Sequence, residues 1–149
     1  MAFLLDTDHV VIMQRESPDL FPRLFRRLAL HPPDDFFISI VTFHEQAAGW
    51  QALLNRRRDA ASVVRAYSEF GRLLAAYADV QLASYTAEAA QKFEELRKQQ
   101  VRIGTMDLRI AATALVRDYT VLTRNMVDFE KVPGLKVEDW TVTVPEKPR

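Results

Sequence analysis

The chain has 149 residues, of which 48% are hydrophobic, and this size suits one domain with a sizeable core. It contains no cysteine, which excludes disulfides, thiolate nucleophiles and cysteine-based metal centres. Twenty basic and twenty acidic residues cancel, which excludes nucleic-acid binding driven by an overall positive field. No segment approaches the roughly 20 apolar residues of a membrane span, and a strand pattern begins at Ala2, where a signal peptide would stand. We therefore expect a cytoplasmic protein.

Five short apolar runs alternate with helical patterns along the chain. They are AFLL at 2–5, FFISIV at 36–41, VQLA at 80–83, TVLT at 120–123 and LKVEDW at 135–140. Runs that are apolar on both faces are typical of parallel strands covered by helices on both sides. The order predicts a doubly wound α/β/α sandwich with a mainly parallel central sheet of about five strands. We expect one domain over residues 1–144 and a short tail, PEKPR, at 145–149.

Start and stop signals predict the helices between these strands. Ser17 and Pro18 predict the cap and first turn of a helix that ends before Pro32. The other predicted helices are two between residues 42 and 77 with a break near 55–59, one from Thr86 to about 100, and one from Thr105 to about 118.

Acidic and amide side chains stand where this fold binds its ligands. In an open α/β sheet, ligands lie beyond the carboxyl ends of the strands. The candidate residues there are Asp6, Glu45, Asp107, Asn125 and Asp128. Carboxylates without histidine or cysteine favour a hard ion, Mg²⁺ or Mn²⁺. Such an ion can activate water and neutralise a phosphate, so the pattern indicates phosphodiester hydrolysis.

Two of these acids begin helical stripes of apolar or small residues. Asp107 is followed on one helix face by Ile110, Ala111, Ala114 and Leu115, and Glu45 is followed at the same spacing by Ala48, Gly49, Ala52 and Leu53. These patterns predict that both acids face the core. Converging carboxylates repel by roughly 4 kcal/mol per pair at about 4 Å and an effective dielectric near 20, which a bound cation would offset.

Each pattern also has a purely structural interpretation. Thr42 and Glu45 fit a capping box, Asn125 and Asp128 can cap a short helix, and Asp6 with Thr7 can end a strand and cap the next helix. Asp8 and His9 are expected on a helix face rather than as ligands.

Basic residues form local clusters that could meet a polyanion. The clusters are Arg23, Arg26 and Arg27; Arg56, Arg57 and Arg58; and Arg97, Lys98 and Arg102. Arg109 and Arg124 flank the acids in sequence and are candidate contacts to RNA phosphates. The alternative for all of them is a solvated helix face.

Four segments together resemble one known family. LLDTDHV, SIVTFHEQ, RIGTMDLRIAATAL and VLTRNMVDFEKVPGLKVEDW resemble the PIN-domain endoribonucleases, and most closely the VapC toxins of type II toxin-antitoxin systems. The resemblance implies that Asp6, Glu45 and Asp107 are catalytic acids and metal ligands. Thr7 and Thr123 take supporting hydroxyl positions.

The resemblance also implies an activity and its partners. It implies a Mg²⁺- or Mn²⁺-dependent ribonuclease, a homodimer, that cuts structured RNA such as tRNA or rRNA and is inhibited by a cognate VapB-type antitoxin. An aromatic-rich face over residues 63–77 suits a second copy or an antitoxin helix, or an ordinary core stripe. Many relatives carry aspartate where this chain has Asn125, so either Asn125 or Asp128 is the fourth metal ligand.

Two other functions are compatible with parts of the sequence. The opening DTDHVV also fits haloacid-dehalogenase-type phosphatases, in which Asp6 would be the nucleophile and Asp8 the acid/base. Such an enzyme should lose activity on Asp8→Ala, whereas in a nuclease Asp107 should matter more. A catalytically degenerate module that only binds RNA or protein is the other alternative.

Overall fold

The computed structural model describes residues 1–143, so the predicted tail at 145–149 lies outside the described residues. Five parallel strands form one sheet in the order β3-β2-β1-β4-β5. Their bounds are β1 Phe3–Leu5, β2 Phe36–Ser39, β3 Leu82–Ala83, β4 Thr120–Leu122 and β5 Val137–Glu138. All five predicted strands are present, and the α/β fold class is confirmed.

Seven α-helices connect the strands. They are α1 Thr7–Arg15, α2 Leu20–Leu28, α3 Ile40–Arg56, α4 Ala60–Tyr77, α5 Ala87–Lys98, α6 Thr105–Arg117 and the short α7 Met126–Phe129. Among the helices of residues 1–143, none combines the length and hydropathy needed to cross a membrane.

Strand β1 shows why the sequence folds into three layers. Its three residues are all buried, and alternate side chains point to opposite faces of the sheet. Leu4 packs into a cluster formed with α5 and α6, whereas Phe3 and Leu5 pack with α1, α2 and Trp140. A strand buried on both faces has no polar side, which explains its continuous apolar run.

Most predicted helix ends are observed, with one correction. Thr86 caps α5 by accepting a hydrogen bond from the Ala89 backbone N–H at 3.2 Å. The predicted start at Ser17 and Pro18 is wrong, because α2 begins at Leu20 after Asp19, which makes no side-chain capping bond. The Ser17 carbonyl accepts from the Phe21 N–H at 2.8 Å, so the chain turns before the regular helix starts.

The parallel sheet brings the carboxyl ends of β1, β2 and β4 to one edge. Strand β1 lies between β2 and β4, and Leu5 pairs with Ile38 on one side and Leu122 on the other. The last residue of β2, Ser39, and the residues that follow β1 and β4, Asp6 and Thr123, are therefore neighbours although they are far apart in sequence. This edge carries the candidate site.

Candidate acidic site at the carboxyl edge of the sheet

Asp6 is held at the junction of β1 and α1 by bonds from two elements. The Thr7 backbone N–H donates to Asp6 Oδ1 at 2.8 Å, and the Thr123 hydroxyl donates to Asp6 Oδ2 at 2.8 Å. The side chain thus caps α1 and is also fixed by the residue that follows β4. Asp6 therefore caps α1, as its structural interpretation predicted, and the same carboxylate also lies at the candidate site.

The environment of Asp6 disfavours its charged form. The residue is 5% exposed. Burial, followed by the nearby charge of Asp8, raises the pKa of Asp6 to about 7 despite the bond from Thr123. The pKa of Asp59, an exposed cap on α4, shifts in the opposite direction, so the charged form of Asp6 stands in an environment that a compensating positive charge would favour.

Asp107 lies in the first turn of α6 and faces the same region. The residues one and two turns later, Ile110, Ala111 and Ala114, are completely buried, which confirms the predicted core stripe. Burial, followed by the charges of Glu45 and Asp128, raises the pKa of Asp107 to about 6. Asp107 also contributes to the raised pKa of Asp6, so the acids form one electrostatically coupled group.

Glu45 reaches the site from α3 through a hydroxyl. The Thr7 hydroxyl donates to Glu45 Oε2 at 3.2 Å and lies 3.4 Å from the Thr42 hydroxyl. The capping-box alternative is wrong, because Thr42 is buried inside α3 and Ser39 is the cap. A side chain in the second turn of the helix cannot bond back to the start when the helix begins three residues earlier than the pattern implies.

The predicted core stripe that continues from Glu45 is wrong. Ala48, Gly49 and Ala52 are exposed, and only Leu53 is partly buried. Small residues at helical spacing fit a core face and an exposed face equally well, since they contribute little to either. The position of Glu45 therefore depends on the first turns of α3, where Val41 and Thr42 are buried.

Asp8 and His9 lie on α1 as expected, but their side chains make buried or partly buried contacts with other segments. His9 is completely buried, and its Nδ1 lies 2.8 Å from Asp8 Oδ1. The Trp140 backbone N–H donates to His9 Nε2 at 3.3 Å, so Nδ1 carries the proton that is donated to Asp8.

Asp8 joins α1 to the segment after β4. Its Oδ2 accepts from the Arg124 backbone N–H at 2.8 Å, and at 3.3 Å it shares the one proton that the Thr123 hydroxyl donates mainly to Asp6. Burial acts to raise the pKa of Asp8, but the bonds from His9 and Arg124 outweigh it and lower that pKa. The sequence contained a signal for this role, because an acid two residues after a strand-ending acid, in the first turn of the next helix, faces the same edge.

Asn125 and Asp128 take the structural role that their spacing allowed. Asn125 is the N-cap of α7, and its Oδ1 accepts from the Asp128 backbone N–H at 3.4 Å. The Asn125 amide donates to Asp128 Oδ2 at 3.0 Å, and Lys131 donates to Asp128 Oδ1 at 3.1 Å. These two bonds lower the pKa of Asp128. The pair still adjoins the site, since Asp128 is one of the charges that raise the pKa of Asp107.

The two arginines predicted to meet phosphate differ in their surroundings. Arg109 is partly buried, with its guanidinium 5.7 Å from the Phe93 ring centroid and 3.8 Å from Met106 Sδ. Arg124 is exposed, and its backbone N–H donates to Asp8. Both stand next to the acids, and their contact with phosphate stays a prediction.

The candidate ligands have the oxygen atoms that a hard divalent cation prefers, but their side chains are not yet arranged around one point. Every candidate ligand offers oxygen, and the raised pKa values of Asp6 and Asp107 are what a cation would reverse. Within residues 1–143, however, no three carboxylate or histidine side chains stand close enough together to form a ready-made cage. The acids are neighbours held by hydroxyl and backbone donors, so metal binding needs their side chains to close on the ion.

Comparisons with known proteins agree on one group of relatives. No protein-family model matches the chain. The chain is similar to the tRNA(fMet)-specific endonuclease VapC of Salmonella typhimurium, with 29% identity over 140 residues that cover 94% of this chain and 98% of that protein. It is also 26% identical to ribonuclease VapC1 of Haemophilus influenzae strain R2866 over 141 residues, which cover 95% and 99% of the two chains.

Solved structures share the fold. DNA-bound VapBC from Salmonella typhimurium matches with a TM-score of 0.68 and 24% identity, covering 94% of this chain and 98% of that chain. VapBC-1 from nontypeable Haemophilus influenzae matches with a TM-score of 0.70 and 22% identity, covering 95% and 100%. At these identities the structural likeness establishes the fold alone.

Proposed function

We propose that the chain is a metal-dependent endoribonuclease of the VapC type, on the premise that it is similar to VapC ribonucleases over almost all of its length and shares the fold of solved VapBC structures. Its substrate is structured RNA such as tRNA, and its biological role is that of the toxin in a type II toxin-antitoxin system. The observation that carries the proposal is the group of coupled acids that comes from the end of β1, from α3 and from the first turn of α6. Asp6 and Asp107 have raised pKa values there although the fold has no structural need for their charge.

The proposed roles follow from the bonds that each side chain already makes. Asp6, Glu45 and Asp107 would hold Mg²⁺ or Mn²⁺, which when bound supplies an activated water and neutralises charge on the phosphate. Thr7 orients Glu45, and Thr123 orients Asp6, each through its hydroxyl. These hydroxyls fix carboxylate oxygens that would otherwise turn away from one another.

The residues Asn125 and Asp128 favour a site that holds one ion rather than two. Asn125 brings no charge, and its Oδ1 is already engaged with the Asp128 backbone. Asp128 is bonded to Asn125 and Lys131, which reduces the negative charge that it offers to a second ion. We propose that Asp128 or Asn125 contributes the fourth oxygen, through a water or after rearrangement.

The phosphatase alternative conflicts with the bonds of Asp8. An acid/base residue must exchange a proton with the substrate, but both oxygens of Asp8 accept bonds from His9, Thr123 and Arg124. Asp8 is instead a positioning residue that joins α1 to the segment after β4. The binding-only module differs from the proposal in one measurable property, because it needs no metal that depends on Asp6.

Partners are proposed from the relatives and from one exposed face. The solved relatives include complexes described as VapBC and as a toxin-antitoxin complex. Helix α4 exposes Val64, Tyr67 and Leu74, whereas Ala66 and Tyr77 from the predicted aromatic-rich face are buried. We propose that the exposed part contacts an antitoxin or a second copy of the chain in a cytoplasmic complex.

Cleavage of a defined tRNA pool tests the proposed activity. The protein is assayed with Mg²⁺ or Mn²⁺, with and without chelator, beside Asp107→Asn. Asp118→Asn is the matched control, because Asp118 ends the same helix in the left-handed region, where asparagine is tolerated. We expect discrete cuts that vanish with chelator and in Asp107→Asn but persist in Asp118→Asn. Equal cleavage by Asp107→Asn would contradict the proposal.

Calorimetry with Mn²⁺ separates the enzyme from the binding-only module. We expect metal uptake by the parent protein and its loss in Asp6→Asn, since Asp6 is the most buried of the three acids proposed to hold the ion. Metal uptake that is absent from the parent, or unchanged in the variant, would favour the binding-only module.

A further inference from the structure

A groove between α5 and α6 leads to the acidic site and is lined by three arginines. Arg97 comes from the end of α5, Arg102 from the connection and Arg109 from α6. Gly104 and Asp128 line the same groove, and Asp128 is coupled to Asp107. The sequence placed Arg97 and Arg102 in one cluster and Arg109 apart from it, and the fold joins them along one path.

The charges of this groove are available to a ligand. The guanidinium groups of Arg97 and Arg109 both lie 5.7 Å from the Phe93 ring centroid, so both make cation–π contacts with this ring. Arg97 also faces Glu94 at 3.8 Å. For Arg102 and Arg109, no carboxylate of residues 1–143 lies within ion-pair distance. Among the described residues, the groove therefore has two arginines without a carboxylate partner and a third whose exposed ion pair is weak.

The other two basic clusters are placed differently. Arg27 packs against Trp140, 4.8 Å from the ring centroid, and donates to the Asp139 carbonyl at 3.5 Å. Arg57 and Arg58 lie in the exposed break between α3 and α4 and do not line this groove. The third cluster, in contrast, shares its groove with Asp128.

We propose that this groove, through Arg102 and Arg109 with Arg97, binds the phosphate backbone of the RNA substrate beside the cleavage site. The inference rests on the proposed function for the identity of the polyanion. A chain with no net charge and a group of acids at its site repels phosphate there, so local cations are needed to hold the flanking backbone. Guanidinium groups match phosphate geometry through paired donors.

Binding of a fluorescein-labelled tRNA in the presence of chelator tests the groove separately from cleavage. Anisotropy titrations at several salt concentrations compare the parent with Arg102→Gln/Arg109→Gln. Arg57→Gln/Arg58→Gln is the matched control, because it removes the same charge outside the groove. Arg102→Lys/Arg109→Lys keeps the charge and shows whether loss of packing on Phe93 alone weakens binding.

We expect the glutamine variant in the groove to bind about tenfold more weakly, with a salt dependence smaller by roughly 0.7 to 0.9 per lost phosphate contact. The control should bind within about threefold of the parent, and the lysine variant, which keeps the charge but loses the paired donors, should bind more tightly than the glutamine variant. Equal weakening in the control, or unchanged binding in the groove variant, would overturn the inference. If the parent cleaves tRNA and the groove variant binds tRNA as tightly as the parent, the proposed activity is supported and the role of the groove is contradicted. If groove-dependent binding occurs without cleavage, the groove stands and the activity does not.

Discussion

Replacing Asp6 by asparagine should stabilise the metal-free protein at neutral pH. Its pKa rises from the ordinary 3.8 to about 7 on folding, chiefly because the carboxyl is buried. That rise corresponds to about 4 kcal/mol of folding free energy lost when the group must be charged. Asparagine has no charge, and its Oδ1 can still accept from the Thr7 N–H while its amide donates to the Thr123 hydroxyl. The gain for Asp6→Asn is therefore at most about 4 kcal/mol.

The sign of the pH dependence follows from the direction of the shift. A folded-state pKa above the unfolded value means that folding takes up a proton between about pH 4 and pH 7. The cost of charging Asp6 is absent below that window, grows through it and is constant above it. Asp6→Asn should therefore gain less than half as much stability at about pH 5 as at about pH 8.

Urea denaturation in the presence of chelator measures this effect at both pH values. Asp59→Asn is the control, because the exposed Asp59 caps α4 and its pKa is lowered by bonds from Ser62, so its replacement should give no gain. Added Mn²⁺ should stabilise the parent more than Asp6→Asn, by about 2.7 kcal/mol at a concentration one hundred times the dissociation constant. A variant less stable than the parent at about pH 8, or a gain independent of pH, would refute the reasoning.

Four further changes test other parts of the site. Thr123→Val removes the donor to Asp6 and the acceptor for the Asn125 N–H, and should cost about 1–3 kcal/mol in urea denaturation and at least tenfold in tRNA cleavage; unchanged cleavage would show that Asp6 needs no such support. In Asp8→Asn, either the His9 ring N–H or the Arg124 backbone N–H loses its acceptor, because an amide has one oxygen. We therefore expect the free energy of unfolding to fall by about 1–3 kcal/mol, with a smaller loss of cleavage than in Asp107→Asn. His9→Phe should lower thermal stability and weaken cleavage without abolishing metal uptake, since His9 contacts Asp8 and Trp140 rather than the acids that would hold the ion. Asn125→Asp keeps the cap but replaces the donor to Asp128 by a repelling carboxylate, so calorimetry should show tighter or additional Mn²⁺ binding, and unchanged binding would place the ion away from α7.

The strands and the principal acids could be predicted because their signals are local. Buried parallel strands produce continuous apolar runs, and the acid that follows such a run must lie at the carboxyl edge of the sheet. Asp6 is predicted directly, because it follows an apolar run. Asp107 is predicted from its helix, because the buried positions that come after it on α6 show which way its side chain faces. The doubly wound order then determines which ends meet.

The features that escaped prediction depend on contacts between distant segments. His9 is buried because α1 packs under Trp140, which is 131 residues away in sequence, and no local pattern records that. The exposure of Ala48 and Ala52 depends on which side of α3 the neighbouring helices cover. The capping interpretations of Thr42 and Asn125 were equally plausible from spacing, and only Asn125 proved to be a cap, because α3 starts two residues before Thr42.

The bond from Thr123 to Asp6 has a consequence for the timing of synthesis. The two residues are 117 positions apart, and Thr123 reaches Asp6 only after β4 has paired with β1. At 5 to 20 residues per second, a ribosome makes Thr123 roughly 6 to 23 seconds after Asp6. During that interval Asp6 lacks the bond from Thr123, and any product that stops before β4 has an incomplete centre. The candidate site is therefore completed only when most of the chain has been made.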